Sequence, residues 1–434
     1  MDFIARIGQG GFGNVDLIFD HELGYECARK QFSQNQALTP ELLRNVKKRF
    51  SKEVKVQSAI SHPNIVPVLR SDLAHEPPYY LMPLASSTLD KEILKDRTLD
   101  GSFVSAISDI VAALEEMHSM EIYHRDLKPQ NVLQFQRNGS PVYAVSDFGL
   151  ISMKESTLSE LTHTGMGKGS DYYTAPEIHA DLRRASPRSD VYSLGCILHD
   201  MIGIEPRIPF NEIKEAGSFS AVLAGCTKAN PSKRFPSAKS VLDAILTIEF
   251  EPEGTISEAS EDYLTALVSD DVLSQDFCAR FADYLEFNAE KADINAIFGK
   301  LTVGKINNIW EVDALLANRI GLVFAEWVKS TSFNFDFCDA IANRVEAFYQ
   351  NADLELKVDC LMAFLVMGTS HNRWYVERKF ARMCALDMDD NVAKRLIIKF
   401  HIEGIDLVRS CIAHLESSIG ISRSQLHTKI QSAL

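Results

Sequence analysis

Apolar and polar positions alternate soon after the start of the chain. Val15, Leu17 and Phe19 recur with period two behind the stretch IGQGGFGNV, residues 7–15. This spacing predicts a strand, so the glycines lie between two strands rather than between a strand and a helix. Farther on, RFSKEVKVQSAISHPNIVPVL keeps helical spacing up to about Ile60. The segment QFQRNGSPVYAV reads as strand, Asn138-Gly139 turn, strand, the strongest short-range hairpin signal. Toward the C-terminus, FDFCDAIANRVEAFYQ and DNVAKRLIIKFHIEGIDLVRSCIAHL carry apolar residues at helical intervals, with little strand signal.

The pattern divides the chain into a mixed first part and a helical second part. A short Pro/Gly/Ser/Glu-rich stretch, EPEGTISEAS at 251–260, is the expected linker. The 434 residues, 46% hydrophobic and 24% charged, provide material for more than one core. The longest apolar run, Cys360 to Met367, is far shorter than the roughly 20 residues of a membrane span. The glycine loop at the very start leaves no room for a signal peptide, and the expected location is the cytoplasm. Eight cysteines without a C-x-x-C pair indicate neither a zinc site nor a disulfide framework. The net charge of −14 argues against a general affinity for nucleic acid or anionic membrane. Residues 251–434 carry most of that excess, with 28 acidic against 18 basic side chains.

Gly8, Gly10 and Gly13 spell G-x-G-x-x-G, which dinucleotide-binding folds use ahead of a helix and protein kinases use in a hairpin over the phosphates of ATP. Glu26 lies near the spacing of a ribose-binding acid, but the strand after the glycines favours the hairpin. Further fragments decide the matter by their order. CARKQF supplies Lys30, the following helix carries Glu53 on its inward side, and IYHRDLKPQN contains His124, Arg125, Asp126, Lys128 and Asn131. VSDFGL contributes Asp147, and GSDYYTAPE contributes Ser170 and Glu177.

From residue 1 to about 248 the sequence resembles the eukaryotic-type (Hanks-type) serine/threonine protein kinases, in a bacterial-like form. The resemblance implies an α+β, bilobal kinase fold over 1–250, with a β-rich N-lobe to about residue 83 and a helical C-lobe from about 84. An all-α regulatory or recognition domain over 261–434 completes the expected organisation. No family is identified for that second part.

Phosphoryl transfer needs charge neutralisation and alignment more than covalent help. By the resemblance, Lys30 holds the α- and β-phosphates of ATP and Glu53 fixes Lys30. Asp147 and Asn131 offer hard oxygen ligands suited to Mg²⁺, with Mn²⁺ as an alternative. Asp126 accepts or orients the proton of the substrate hydroxyl, and Lys128 lies near the γ-phosphate. Ile7, Gly8, Gly10, Gly13, Val15 and Ala28 belong to the nucleotide cradle. PPYYLMPLA matches the strand into the adenine hinge, with Met82 as gatekeeper and the backbones of Pro83 and Ala85 at the purine edge. Proline keeps a carbonyl acceptor there but offers no N–H. Asp190 in SDVYSLGCIL braces the catalytic loop, and Arg234 in NPSKRF pairs with Glu177; both are architectural.

The implied reaction is transfer of the γ-phosphoryl group to Ser/Thr hydroxyls of protein substrates, with dual specificity left open. Arg125 beside Asp126 implies control by phosphate on the activation loop. Thr162, Thr164 and Ser170 are the candidate sites, and self-association would allow modification in trans. Two rivals are a pseudokinase scaffold and a small-molecule phosphotransferase. The first usually lacks Lys30, Asp126 or Asp147, and the second generally lacks the Glu177–Arg234 pair. In the tail, Trp310, Trp327 and Trp374 read as packing residues. Asp387, Asp389 and Asp390 read as a solvated loop or a helix N-cap.

Overall fold

The computed structural model describes residues 1–9, 13–33, 39–137, 139–148, 170–249, 256–269, 271–333 and 337–434. These residues divide into two compact units, Met1–Leu242 and Asp243–Leu434.

The first unit opens with five strands: β1 (Asp2–Gln9), β2 (Gly13–Asp20), β3 (Tyr25–Phe32), β4 (Arg70–Asp72) and β5 (Tyr79–Met82), in the order β1-β2-β3-β5-β4. All pairings are antiparallel, so the glycine stretch does connect two strands. The alternation in β2 has an unexpected consequence. Its most buried side chains are Asp16, Ile18 and Asp20, while Val15, Leu17 and Phe19 are half-covered. The two acids are tolerated there because Arg6 and Arg29 engage Asp16, while Asp20 accepts from the backbone of Glu22 and Leu23.

Helix α1 (Pro40–Ala59) starts at Thr39, whose hydroxyl accepts from Leu42 N–H, with Pro40 in the first turn. It buries Val46, Phe50, Glu53, Val54 and Gln57, one stripe of the helix. Val46, Phe50 and Val54 join Ala28, Phe32, Tyr80 and Met82 in the lobe's core. The short strand β6 (Ser87–Thr88) and helices α2 (Leu89–Lys95) and α3 (Phe103–Ser119) follow. Strands β7 (Val132–Arg137) and β8 (Ser140–Val145) form the expected hairpin, with Gly139 at φ +81°, a conformation that glycine adopts without strain.

After α4 (Pro176–Ala180), helix α5 (Pro187–Ile202) is buried over nearly its whole girth, as befits the centre of a helical lobe. It lies close to α6 (Ser220–Thr227): a Cβ on Gly195 would fall 2.3 Å from that of Cys226. Helix α7 (Ala238–Glu249) contains the division between the units.

The second unit is helical: α8 (Glu258–Val268), α9 (Gln275–Phe287), α10 (Lys291–Lys300), α11 (Val303–Val312), α12 (Ala314–Ser330), α13 (Phe337–Asn351), α14 (Leu354–Ser370), α15 (Trp374–Met383), α16 (Asp390–Glu403), α17 (Ile405–Ser418) and α18 (Thr428–Ala433). Helix α14 is the hub, packed on α12, α13, α15, α16 and α17. Its residues Val358 to Leu365 are all buried, so it lacks a polar face. Asp389 caps α16 by accepting from Asn391 and Val392 N–H, which fits the cap reading of the aspartate cluster. Trp327 is buried and donates from its indole N–H to Asn295, whereas Trp374 is 55% exposed and so is not a packing residue. Among the described residues, no helix is long and apolar enough to cross a membrane.

Candidate active site

The site is assembled from β3, α1, the loop before β7 and the residues just after β8. Lys30, on β3, extends its Nζ to 2.5 Å from Asp147 Oδ1 and 3.6 Å from Glu53 Oε1. Glu53 comes from the buried stripe of α1, so the inward orientation expected of it is observed. Burial opposes the charge on Lys30, but Asp147, Tyr80 and Glu53 override it and keep the ammonium protonated well above the ordinary lysine range. Asp147 likewise resists burial because Lys30 holds its carboxyl below the usual carboxylate value. Burial pushes Glu53 the other way, upward, against the attraction of Lys30.

The loop between α3 and β7 is held by polar contacts. Asp190 on α5 accepts from the backbone N–H groups of His124 (2.9 Å) and Arg125 (3.1 Å), and from His118 Nε2 (2.8 Å). Arg125 sits at φ +66° and Asp147 at φ +60°, both rare for residues with a side chain. Such strain persists only where surrounding contacts over-determine it. Here Asp190 grips Arg125, and His124 reaches Ser146 O at 3.0 Å. Lys128 Nζ donates to Asp126 Oδ2 at 2.7 Å. Asn131 Nδ2 donates to Asp126 O at 2.8 Å, which leaves the amide oxygen of Asn131 available. An amide oxygen and a carboxylate are hard donors of the kind Mg²⁺ accepts, so the residues fit that ion.

The remaining sequence-derived positions are placed as follows. Gly8 and Val15 are cross-strand partners on β1 and β2, Ile7 is 44% exposed, and Gly13 opens β2. Ala28 is paired with Met82 across β3 and β5, and Pro83 and Ala85 follow that strand. Gly10, Thr162 and Thr164 lie outside the described residues; Ser170 is described by its backbone, at the start of a short 3-10 helix. Below the site, Arg234 binds Glu177 through two hydrogen bonds of 2.7 and 2.8 Å, with the guanidinium fully buried. Sequence reasoning overlooked Tyr80, which lies within the electrostatic reach of Lys30. Its only signal was the tyrosine pair Tyr79-Tyr80 ahead of Leu81-Met82 in a buried strand.

Residues 1–274 match the family model described as protein kinase domain, well over half of the chain, and the chain belongs to the protein kinase family. Serine/threonine-protein kinase Pkn1 of Myxococcus xanthus is 30% identical over 246 residues, covering 56% of this chain and 34% of the relative. DNA damage-responsive serine/threonine-protein kinase RqkA of Deinococcus radiodurans is 35% identical over 205 residues, covering 46% of this chain and 29% of the relative. The chain thus spans about a third of the length of these curated relatives. Among solved structures, the PpkA-294 apo form aligns with a TM-score of 0.46 at 18% identity, over 56% of this chain and 95% of that one.

Proposed function

We propose that the chain is an ATP- and Mg²⁺-dependent protein kinase that phosphorylates Ser/Thr hydroxyls of protein substrates. The observation that carries this reading is the convergence of Lys30 on Asp147 and Glu53, beside a loop in which Lys128 and Asn131 hold Asp126. In this reading Lys30 exchanges Asp147 for the α- and β-phosphates, and Glu53 keeps the ammonium from drifting. Asp126 orients the substrate hydroxyl and receives its proton, while Lys128 beside it meets the negative charge of the transferring group. Asp147 and Asn131 hold Mg²⁺, which when bound neutralises phosphate charge; Mn²⁺ would satisfy the same donors. Ile7, Gly8, Gly10, Gly13, Val15, Ala28, Met82, Pro83 and Ala85 enclose the nucleotide.

Names of the relatives support serine/threonine specificity, and the Glu177–Arg234 pair supports a protein rather than a small-molecule acceptor. Activation follows from phosphate on Thr162, Thr164 or Ser170, placed by a second copy and read by Arg125. The helical second unit modulates the kinase or recognises its substrates. Incubation with radiolabelled ATP and Mg²⁺, followed by phosphopeptide mass spectrometry of the purified chain, tests the reading. Absence of label on both the chain and generic protein acceptors would refute it.

A further inference from the structure

That reading assigns no role to Tyr80, a buried residue of the N-terminal lobe. Tyr80 on β5 stands directly opposite Lys30 on β3, so the two side chains leave the sheet on the same face. Tyr80 is 0% exposed and belongs to the apolar core cluster with Ala28, Phe50, Val54 and Met82. Its ring lies 6.0 Å from that of Phe50. A hydroxyl in such surroundings is costly unless it is hydrogen-bonded. Phenylalanine would fill most of the same space without that cost. Yet Tyr80 Oη is buried with no hydrogen-bond partner among the described residues.

Glu53 Oε1 is a second buried oxygen in the same condition. The Lys30 ammonium is near both: 6.0 Å from the centroid of the Tyr80 ring and 3.6 Å from Glu53 Oε1. Burial keeps the phenol protonated, with Lys30, Asp147 and Glu53 all acting on it. It therefore offers one O–H donor and an oxygen that accepts. Lys30 is drawn to Asp147 at 2.5 Å, so its contact with Glu53 Oε1 stays an ion pair at 3.6 Å rather than a hydrogen bond, and Tyr80 Oη is likewise left without a hydrogen bond.

We propose that Tyr80 is a positioning residue for Lys30: its oxygen accepts an N–H of the ammonium and its O–H donates to Glu53. Lysine, phenol and carboxylate then close into one buried network when Lys30 leaves Asp147 for the nucleotide. The network gives Lys30 two anchors in place of one. This inference rests on Lys30 being the phosphate-binding cation.

The test is Tyr80→Phe in the full chain, which keeps the ring and removes only the hydroxyl. The KM for ATP should rise roughly tenfold, the scale of one charge-assisted hydrogen bond, with kcat little changed. In protein saturated with ATP and Mg²⁺, Lys30 should be acylated faster in the variant by an amine-reactive ester, read by peptide mass spectrometry. Without nucleotide, where Lys30 rests on Asp147, the two proteins should label alike. Adding Glu53→Gln to Tyr80→Phe should raise KM no further than Glu53→Gln alone, because the two act through one network. If Tyr80→Phe fails to fold, Tyr80→Met must show the same rise in KM. A wild-type KM and, under ATP and Mg²⁺, wild-type labelling in the variant would overturn the proposal while leaving the kinase reading intact. A wild-type chain that neither binds nor turns over ATP would overturn both.

Discussion

Arg344 and Asp243 meet across 101 residues of sequence, with Nε 2.8 Å from Oδ1 and the arginine wholly buried. The same guanidinium donates to Thr247 Oγ1 at 2.7 Å and to the carbonyls of Phe298 and Gly299. Asp243 and Thr247 belong to α7, and both fall in the second unit. Removing one member of a buried pair strands the other charge, at a cost of about 3–5 kcal/mol. Asp243→Ala should therefore lower the stability of the second unit by that amount in chemical denaturation, whereas Asp243→Ala/Arg344→Met should recover part of it. Equal stability of Asp243→Ala and wild type would show that the network is dispensable.

The same geometry separates two boundaries for the C-terminal fragment. A fragment starting at 261, after the expected linker, leaves Arg344 without Asp243 and Thr247, two of its four hydrogen-bonding partners. A fragment starting at 238 retains all of α7 and both partners. The longer fragment should melt cooperatively at a higher temperature than the shorter. Indistinguishable melting curves would place the boundary after residue 260 and remove Arg344 from the folding argument.

What was legible in the sequence was local. The period-two run after the glycines, the Asn138-Gly139 turn and the stripe ending near Ile60 all depend on neighbours within a few residues, and β2, the β7–β8 hairpin and α1 follow them. The candidate site was legible because its residues come in short motifs whose order is itself informative. Long-range compensation was not legible. Asp16 is buried only because Arg6 and Arg29 approach it from adjacent strands, which alternation within β2 cannot reveal. Trp374 resembles any core aromatic until the faces of α15 are known, and its exposure depends on which face α14 covers. Tyr80 gains significance only from its register against Lys30.

Lys30→Met and Asp147→Asn should each reduce phosphoryl transfer by about 10²–10³-fold or more, because fixed charges at the phosphates act mainly on the transition state. Both variants should remain folded at the assay temperature, each still melting in one cooperative transition. Near-normal incorporation of label by either would sink the assigned roles.

Arg234 and Glu177 predict a defect of a different kind. Their two parallel hydrogen bonds require a planar fork that lysine lacks. Arg234→Lys should thus fail to rescue the loss of stability seen in Arg234→Ala, with both melting well below wild type. Full rescue by lysine would mean that charge alone suffices at this position.

Asp190 sets the acid limit of the catalytic loop. Burial raises its pKa, but His118 and the backbone N–H of His124 outweigh that and hold the carboxyl below the usual carboxylate value. The folded protein therefore binds this proton less readily than the unfolded chain does. The stabilisation is fully present above about pH 4, and it is lost as the pH falls through the lowered folded-state value. Protonation would remove the acceptor that fixes the N–H groups of His124 and Arg125, the latter at φ +66°. Denaturation midpoints measured between pH 6 and pH 3 should fall for the wild type at the acid end. In Asp190→Asn, which cannot titrate, stability should be lower at pH 6 and the acid-end slope shallower. Identical slopes for the two proteins would assign the acid sensitivity to other carboxylates and remove Asp190 as the brace of the loop.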